Sequence, residues 1–280
     1  MSCTARTSAG PSTSPRPRTP PIPTRAIRSD RIRGWLEHLG SREAYIAAQE
    51  SQYHGLRWRP GLKLLEKQVR MWLGRKTAKL VQRRAANPEF RLLEREVRAA
   101  GAKRVADCGA GEGGVALALA ARNPDLRVDG VDVSTTNVRL ARRLNRYRNL
   151  SFHPGLAEEV DRLFPPKTFD LVYSFAVLEH VRDVDATMAA MLRVLRPGGR
   201  LCFVVPMHEF RAAGPLPDYT PVHGYADHCR VFTEAELRTR YRDRPEFALH
   251  KIPGRWKPGE FPEVLEPLEF GSFFVSFASR

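Results

Sequence analysis

The chain has 280 residues, 42% of them hydrophobic, enough for one sizeable α/β domain with an appendage. No apolar run approaches the roughly 20 residues that span a bilayer, which excludes an integral membrane segment. The formal charge of +15 is unevenly placed, because residues 1–104 carry 23 Lys+Arg against 8 Asp+Glu while residues 105–280 carry 23 of each. A basic flank of this kind attracts nucleic acid, anionic lipid headgroups or an acidic substrate, and it can equally serve solubility.

Residues 1–28 are rich in Ser, Thr, Pro and Arg, have no acidic residue before Asp30, and cannot bury a core, which predicts a disordered tail. Six prolines between Pro11 and Pro23 block the amphipathic helix that a mitochondrial presequence would need, and there is no apolar core for a secretory signal. Helical periodicity begins at Arg31. Trp35, Leu36 and Leu39 mark a first segment, and Tyr45, Ile46 and Tyr53 a second. A longer helix is striped by Leu62, Leu65, Val69, Trp72, Leu73, Leu80 and Val81 and covered elsewhere by Lys and Arg. Glu89 to Ala100 reads as the helix leading into the first strand, so residues 29–100 form a basic helical extension. A basic amphipathic helix with tryptophan can lie on an anionic membrane surface, although such stripes more commonly pack on their own domain. Residues 31–86 are the candidate contact for that surface or for an acidic substrate.

Lys103 to Cys108 is a predicted strand ending in Asp107, and the alanine- and leucine-rich Gly114 to Arg122 is the helix after it. The glycines between them form the strand-to-helix turn where open α/β sheets bind ligands. The spacing also fits the Gly-x-Gly-x-x-Gly of dinucleotide-binding enzymes, so a nicotinamide or flavin is the competing cofactor. Asp107 argues against it: a carboxylate two positions before the first glycine repels a pyrophosphate but can accept a hydrogen bond from a cationic amino group.

Arg127 to Asp132 is a valine-rich strand, and Asp132 lies 19 residues beyond Gly113, the distance at which an acid closes the second strand and reaches ribose hydroxyls. Ser134 caps a helix from Thr135 to Arg146. Leu150 to His153 and Thr168 to Phe175 are the third and fourth strands. Leu195-Arg196-Pro197-Gly198-Gly199 is a turn before a buried fifth strand, and Phe247 to Ile252 with Ser272 to Ser279 make a terminal antiparallel pair. The loops Met207 to Asp227 and Pro253 to Gly271 are candidate walls of a substrate pocket. Cys108 and Cys202 fall on buried strands, and no Cys-x-x-Cys pair occurs, so reduced thiols in a cytoplasmic protein are expected.

Asp-x-Gly-x-Gly-x-Gly, here Asp107, Gly109, Gly111 and Gly113, resembles the first motif of class I S-adenosylmethionine-dependent methyltransferases of the type 11-like, small-molecule group. Two further stretches share the resemblance: Phe169-Asp170-Leu171-Val172 with Leu178-Glu179-His180, and Leu195 to Gly199. It covers roughly Val105 to Val205, with a weaker echo from His228 to Thr233. The resemblance implies a Rossmann-like, mostly parallel seven-stranded sheet with helices on both faces over residues 101–280, beyond the helical extension. It implies S-adenosylmethionine as cofactor, with Asp107, Gly109, Ala110 and Gly111 under the methionine part and Asp132 and Val133 at the ribose. Leu156 and Ala157 would face the adenine, and Phe175 would pack on the cofactor. In the family, helices before the first motif often cover the site, which makes Tyr53 and Trp58 lid candidates.

Some quinone O-methyltransferases carry Glu-x-x-Glu-His after the fourth strand; Ala176 replaces the first glutamate here, so no metal site is assigned. His180, His208, His223 and His228 lie at or beyond carboxyl ends of predicted strands, and His228 and His180 are the candidate general bases. The expected activity is methyl transfer to a small-molecule acceptor through oxygen. The alternatives are an RNA or protein methyltransferase using the basic flank, for which the Asn/Asp-Pro-Pro-Tyr/Phe stretch is missing, and a non-catalytic adaptor of the same fold.

Overall fold

The computed structural model describes residues 42–43, 45–47, 75–212, 232–254 and 265–280. The tail over 1–28, most of the helices expected between residues 31 and 74, and Tyr53, Trp58, His223 and His228 lie outside the described residues.

In chain order the elements are α1 (Arg75–Ala85), α2 (Pro88–Ala99), β1 (Arg104–Cys108), α3 (Gly114–Arg122), β2 (Arg127–Asp132), α4 (Thr135–Leu144) and β3 (Leu150–Pro154). A 3-10 turn over Ala157–Glu159, α5 (Val160–Leu163), β4 (Phe169–Phe175), α6 (Val184–Val194), β5 (Leu195–Ala212), α7 (Glu234–Tyr241), β6 (Ala248–Pro253) and β7 (Leu265–Ala278) follow. The seven strands form one sheet in the order β3-β2-β1-β4-β5-β7-β6. The first five are parallel, and β7 is antiparallel to both β5 and β6.

The central strands are mostly apolar because both faces are covered. Val105, Ala106 and Cys108 of β1 and Leu171, Val172 and Tyr173 of β4 are all fully buried. One core joins Met188 and Met191 of α6 and Tyr241 of α7 to Phe203 and Phe277 of the sheet. The other joins Phe90 and Leu93 of α2, Leu117 and Leu119 of α3 and Val138 of α4 to Tyr173 and Phe274. Because β1 is flanked by β2 on one side and β4 on the other, chain direction around the sheet reverses between β1 and β4, and a crevice opens at their carboxyl ends.

Capping fixes where several helices begin. Ser134 Oγ accepts from Asn137 N at 3.2 Å, and Asp183 Oδ1 from Ala186 N at 3.0 Å. By contrast α3 starts at Gly113 with no side-chain cap, so its first amides remain available. The helix expected to reach Arg146 stops at Leu144, because Asn145 turns its side chain outward from the helix path: Nδ2 donates to Leu150 O and Oδ1 accepts from Tyr147 N, both at 2.8 Å.

Two strands run further than their sequence signals. β5 and β7 stay paired from Arg200↔Ala278 out to Ala212↔Leu265, with a register shift at Glu209/Phe210. The two long loops expected as pocket walls therefore give up residues 207–212 and 265–271 to strands, and residues 213–227 and 255–264 lie outside the described residues. The turn expected at Pro197 to Gly199 is absorbed into β5 as an irregular start, since Leu195 pairs with Phe169 and Arg200 with Leu171. Cys108 and Cys202 are buried and free, as expected of reduced thiols. Among the described residues, no helix is long and apolar enough to cross a membrane.

Candidate functional site

The loop after β1 is held from below. Gly109 N and Ala110 N both donate to Val131 O at 2.8 Å, which ties the turn to β2. Gly109 and Gly111 have φ of +89° and +55°, conformations that L side chains rarely adopt. Their surroundings differ. A Cβ on Gly109 would lie 2.1 Å from Val177 Cγ2, whereas a Cβ on Gly111 would meet nothing within 4 Å. Packing against Val177 thus accounts for Gly109 by itself, and the open face belongs to Gly111.

Asp132 closes β2 and is 6% exposed. Its Oδ2 accepts from Gly111 N at 2.7 Å, and its Oδ1 accepts from Ser134 N at 2.9 Å and Asn137 Nδ2 at 3.3 Å. These donors keep a carboxylate at the loop with its charge compensated.

Asp107 is in a different state. It is 2% exposed, and neither its Oδ2 nor the nearby Tyr173 hydroxyl has a hydrogen bond of good geometry among the described residues. Burial pushes its carboxyl up to about 7; the Tyr173 hydroxyl and the Arg84 guanidinium act in the opposite direction, and the Asp132 charge adds to the rise. A buried acid with a free oxygen beside an uncapped helix start suits a ligand that brings its own cation.

These groups line one cavity of about 420 Å³. All nine residues assigned to the cofactor in the sequence reading line it: Asp107, Gly109, Ala110, Gly111, Asp132, Val133, Leu156, Ala157 and Phe175. His180 also lines it; His228 lies outside the described residues, and His208 sits on β5. The ring of His180 has Nε2 3.9 Å from Oε1 of the buried Glu179, and its backbone amide donates to Val177 O at 2.8 Å. Ala176, between Phe175 and Val177 on the cavity wall, has φ of 55°, a strained value for alanine.

Several lining residues escaped the sequence reading. Leu80 and Arg84 come from α1, one helical turn apart, and a Cβ on Gly114 would meet Arg84 Nε at 2.9 Å, so α1 lies directly over the start of α3. Their signal was present only as one stretch of a basic amphipathic stripe. Glu89 and Phe90 of α2 add a carboxylate and a ring, with Glu89 Oε1 accepting from Ser272 Oγ at 2.8 Å. Tyr45 is 5% exposed, lines the cavity and donates to His180 O at 3.3 Å. Next to it Arg42 grips Glu159 with two bonds of 2.7 Å, and that hydrogen-bonded cation lowers the Glu159 carboxyl below its usual range. Arg42 and Tyr45 therefore reach across to the 3-10 turn and to the chain after β4.

The set fits a zwitterionic amino-acid group joined to a nucleoside. Asp107 offers an acceptor for an ammonium, Arg84 and the uncapped α3 start offer donors for a carboxylate, and Asp132 offers oxygens for a diol.

Residues 106–203 match the Methyltransf_11 family, a methyltransferase domain. The ubiquinone biosynthesis O-methyltransferase of Aromatoleum aromaticum is 34% identical over 113 residues, 39% of this chain and 47% of that protein. The demethylmenaquinone methyltransferase of Tropheryma whipplei is 31% identical over 115 residues, 41% of this chain and 46% of that protein. The matched stretch spans about half the length of these curated relatives. Among solved structures, the YcgJ protein of Bacillus subtilis shares the fold with a TM-score of 0.50 at 18% identity, over 69% of this chain and 98% of that one. Residues 106–203, which carry the glycine loop and the acid that closes β2 within this sheet order, are thus similar to the methyltransferase domain of class I S-adenosylmethionine-dependent methyltransferases.

Proposed function

We propose that this chain binds S-adenosylmethionine in the cavity above β1 and β4 and transfers its methyl group to the oxygen of a small-molecule acceptor. The observation that carries the reading is Asp107: a buried carboxylate with an unpartnered oxygen, lining a cavity that Arg84 and Asp132 also line. An ammonium placed there restores the ionised form of the acid, and the charge match explains why a pyrophosphate cofactor is disfavoured.

When bound, the cofactor supplies a methyl group activated on a sulfonium, so the protein needs chiefly to align the acceptor. Alignment of this kind can contribute about 7–11 kcal/mol to a barrier. Asp107 and Arg84 fix the amino-acid end, and Asp132 the ribose. Leu156, Ala157 and Phe175 enclose the apolar remainder. His180, in the wall beside Val177 and Val181, is placed to take the proton that a hydroxyl acceptor must lose. Tyr45 and Arg42 hold the preceding segment across the site, which helps keep water out.

A small acceptor is favoured over RNA or protein by a cavity of about 420 Å³ whose wall includes the buried Tyr45. Oxygen is favoured by the name of the Aromatoleum relative and by a histidine in the wall. The test is incubation with methyl-labelled cofactor and a panel of phenols, hydroxylated quinols and amines, with products identified by mass spectrometry. Methyl ethers are expected. Labelled amines alone would overturn the choice of oxygen, and stoichiometric cofactor binding with no labelled product from any class would favour the adaptor.

A further inference from the structure

Asp107 of β1 and Tyr173 of β4 are partners in the register of two parallel strands, so their side chains leave the sheet on the same face about 4.8 Å apart. Tyr173 is fully buried in the core that α2, α3 and α4 build on this face, and its ring meets that of Phe175 edge-on at 5.5 Å. Phe175 and Asp107 line the cavity, and Tyr173 backs them from within the core.

A phenol is a costly choice at this place. The other fully buried rings of the same core, Phe90 and Phe274, carry no hydroxyl, and phenylalanine would fill the space of Tyr173 without burying a polar group. The Tyr173 hydroxyl has no hydrogen bond of good geometry among the described residues, and Asp107 Oδ2, one strand away, is in the same condition. The first is a donor, and the second accepts most strongly when the acid is ionised.

We propose that Tyr173 is a positioning residue for the cofactor: its hydroxyl donates to the ionised carboxylate of Asp107 when an ammonium binds, and so holds the acid in the charged form that the ammonium requires. The inference rests on the reading of the cavity as the S-adenosylmethionine site. In the ligand-free chain burial raises the Asp107 carboxyl to about 7, so below that pH it keeps its proton. Binding expels this proton to solvent. Tyr173 keeps its own, since burial holds the phenol well above its ordinary range.

Three groups act on Asp107 besides burial. Tyr173 opposes the rise from inside the core, Asp132 of β2 adds to it, and Arg84 of α1 opposes it from an exposed position where solvent screens its charge. Of the three, Tyr173 alone both favours the charged acid and is shielded from solvent. Tyr45, Glu89, Glu112, Glu158 and His180 complete the titratable wall of the cavity.

Calorimetric titration of the full chain with S-adenosylhomocysteine, from about pH 6 to about pH 9, tests the inference in Tyr173→Phe, which keeps the ring and removes the hydroxyl. The pH at which affinity levels off is expected to move up by about one unit, which weakens binding about tenfold at pH 6 and about fivefold at pH 7 but less than about twofold at pH 9. Methylthioadenosine, which has no amino-acid end, should bind both proteins alike at every pH. In the Asp107→Asn background the same substitution should leave the pH profile flat. The wild-type chain gives a second reading that needs no substitution: by carbon-13 NMR, Tyr173 Cζ should titrate together with the Asp107 carboxyl. Affinity lost by one constant factor across the pH range would make Tyr173 a packing residue, and a Tyr173 Cζ indifferent to the titration would separate it from Asp107. Either result overturns the inference and leaves the cofactor reading intact. No binding by the wild-type chain at any pH would overturn that reading, and the inference with it.

Discussion

The amide of Gly111 donates to Asp132 Oδ2 at 2.7 Å, so the acid at the end of β2 holds the glycine loop of β1 in place. The same carboxylate is the one assigned to the ribose diol, and each hydrogen bond to a charged acceptor is worth about 1.5–3 kcal/mol. Asp132→Ala is expected to raise the dissociation constant for S-adenosylhomocysteine at least about tenfold, about 1.4 kcal/mol, and also to lower the melting temperature. Asp132→Asn, which keeps one carbonyl acceptor for Ser134 N, should lose affinity with a smaller stability cost. Calorimetry and thermal melting together read both effects; unchanged affinity in two folded variants would remove Asp132 from the site.

Asp107 makes stability and affinity respond to pH in opposite directions. Its carboxyl is raised from 3.8 to about 7 in the folded chain, chiefly by burial, so unfolding between these values releases a proton. Its contribution to stability is complete below about pH 4 and is lost as the pH rises through about 7. A bound ammonium favours the ionised acid, so affinity should rise by up to about tenfold per pH unit below 7 and then level off. Binding measured from about pH 5.5 to 8.5 checks this, with Asp107→Asn expected to abolish the slope. A slope that survives in that variant assigns the titration to another group.

The two glycines at the loop should separate by experiment. Gly111→Ala pays the strain of a positive φ, about 1–2 kcal/mol, but has room for its methyl group, so a cooperative fold is expected with weakened cofactor binding. Gly109→Ala adds a collision with Val177 and should lose clearly more stability than Gly111→Ala. Equal melting temperatures for the two would show that Val177 yields easily.

Arg84 should discriminate between ligands. S-Adenosylhomocysteine carries an amino-acid end and methylthioadenosine does not, so Arg84→Met is expected to weaken the first at least about tenfold and leave the second nearly unchanged. Removal of residues 1–86 takes away Leu80, Arg84 and the Tyr45 contact together, and turnover should be lost. Full turnover in the 87–280 fragment would deny the α1 region any part in the site.

Between β1 and β4 the strands and the helices after β1 and β2 were readable to within two residues, whereas the 3-10 turn over Ala157–Glu159 and α5 were not. α3 and β2 have the expected bounds, because glycines, Asn123-Pro124 and Ser134 punctuate apolar runs buried on both faces. The ends of β5 and β7 were not readable, since Pro206, Pro267 and Glu269 interrupt the alternation and the pairing joins segments over fifty residues apart, as Ala212↔Leu265 shows. The nine residues assigned to the cofactor, which all line the cavity, followed from motif order and strand ends. Arg84 could not follow, because helical phase gives it Leu80 as a neighbour but only the docking of α1 on α3 brings it to the cavity.

The unpartnered oxygen of Asp107 also has an evolutionary consequence. A lineage that abandoned the cofactor would gain stability by replacing this acid with a neutral residue, and selection would no longer oppose the change. Gly109 would be retained even then, because its neighbour Val177 demands it. Among descendants of this fold, the residue at position 107 would report on whether the cofactor is still bound, and the glycine two places later would not.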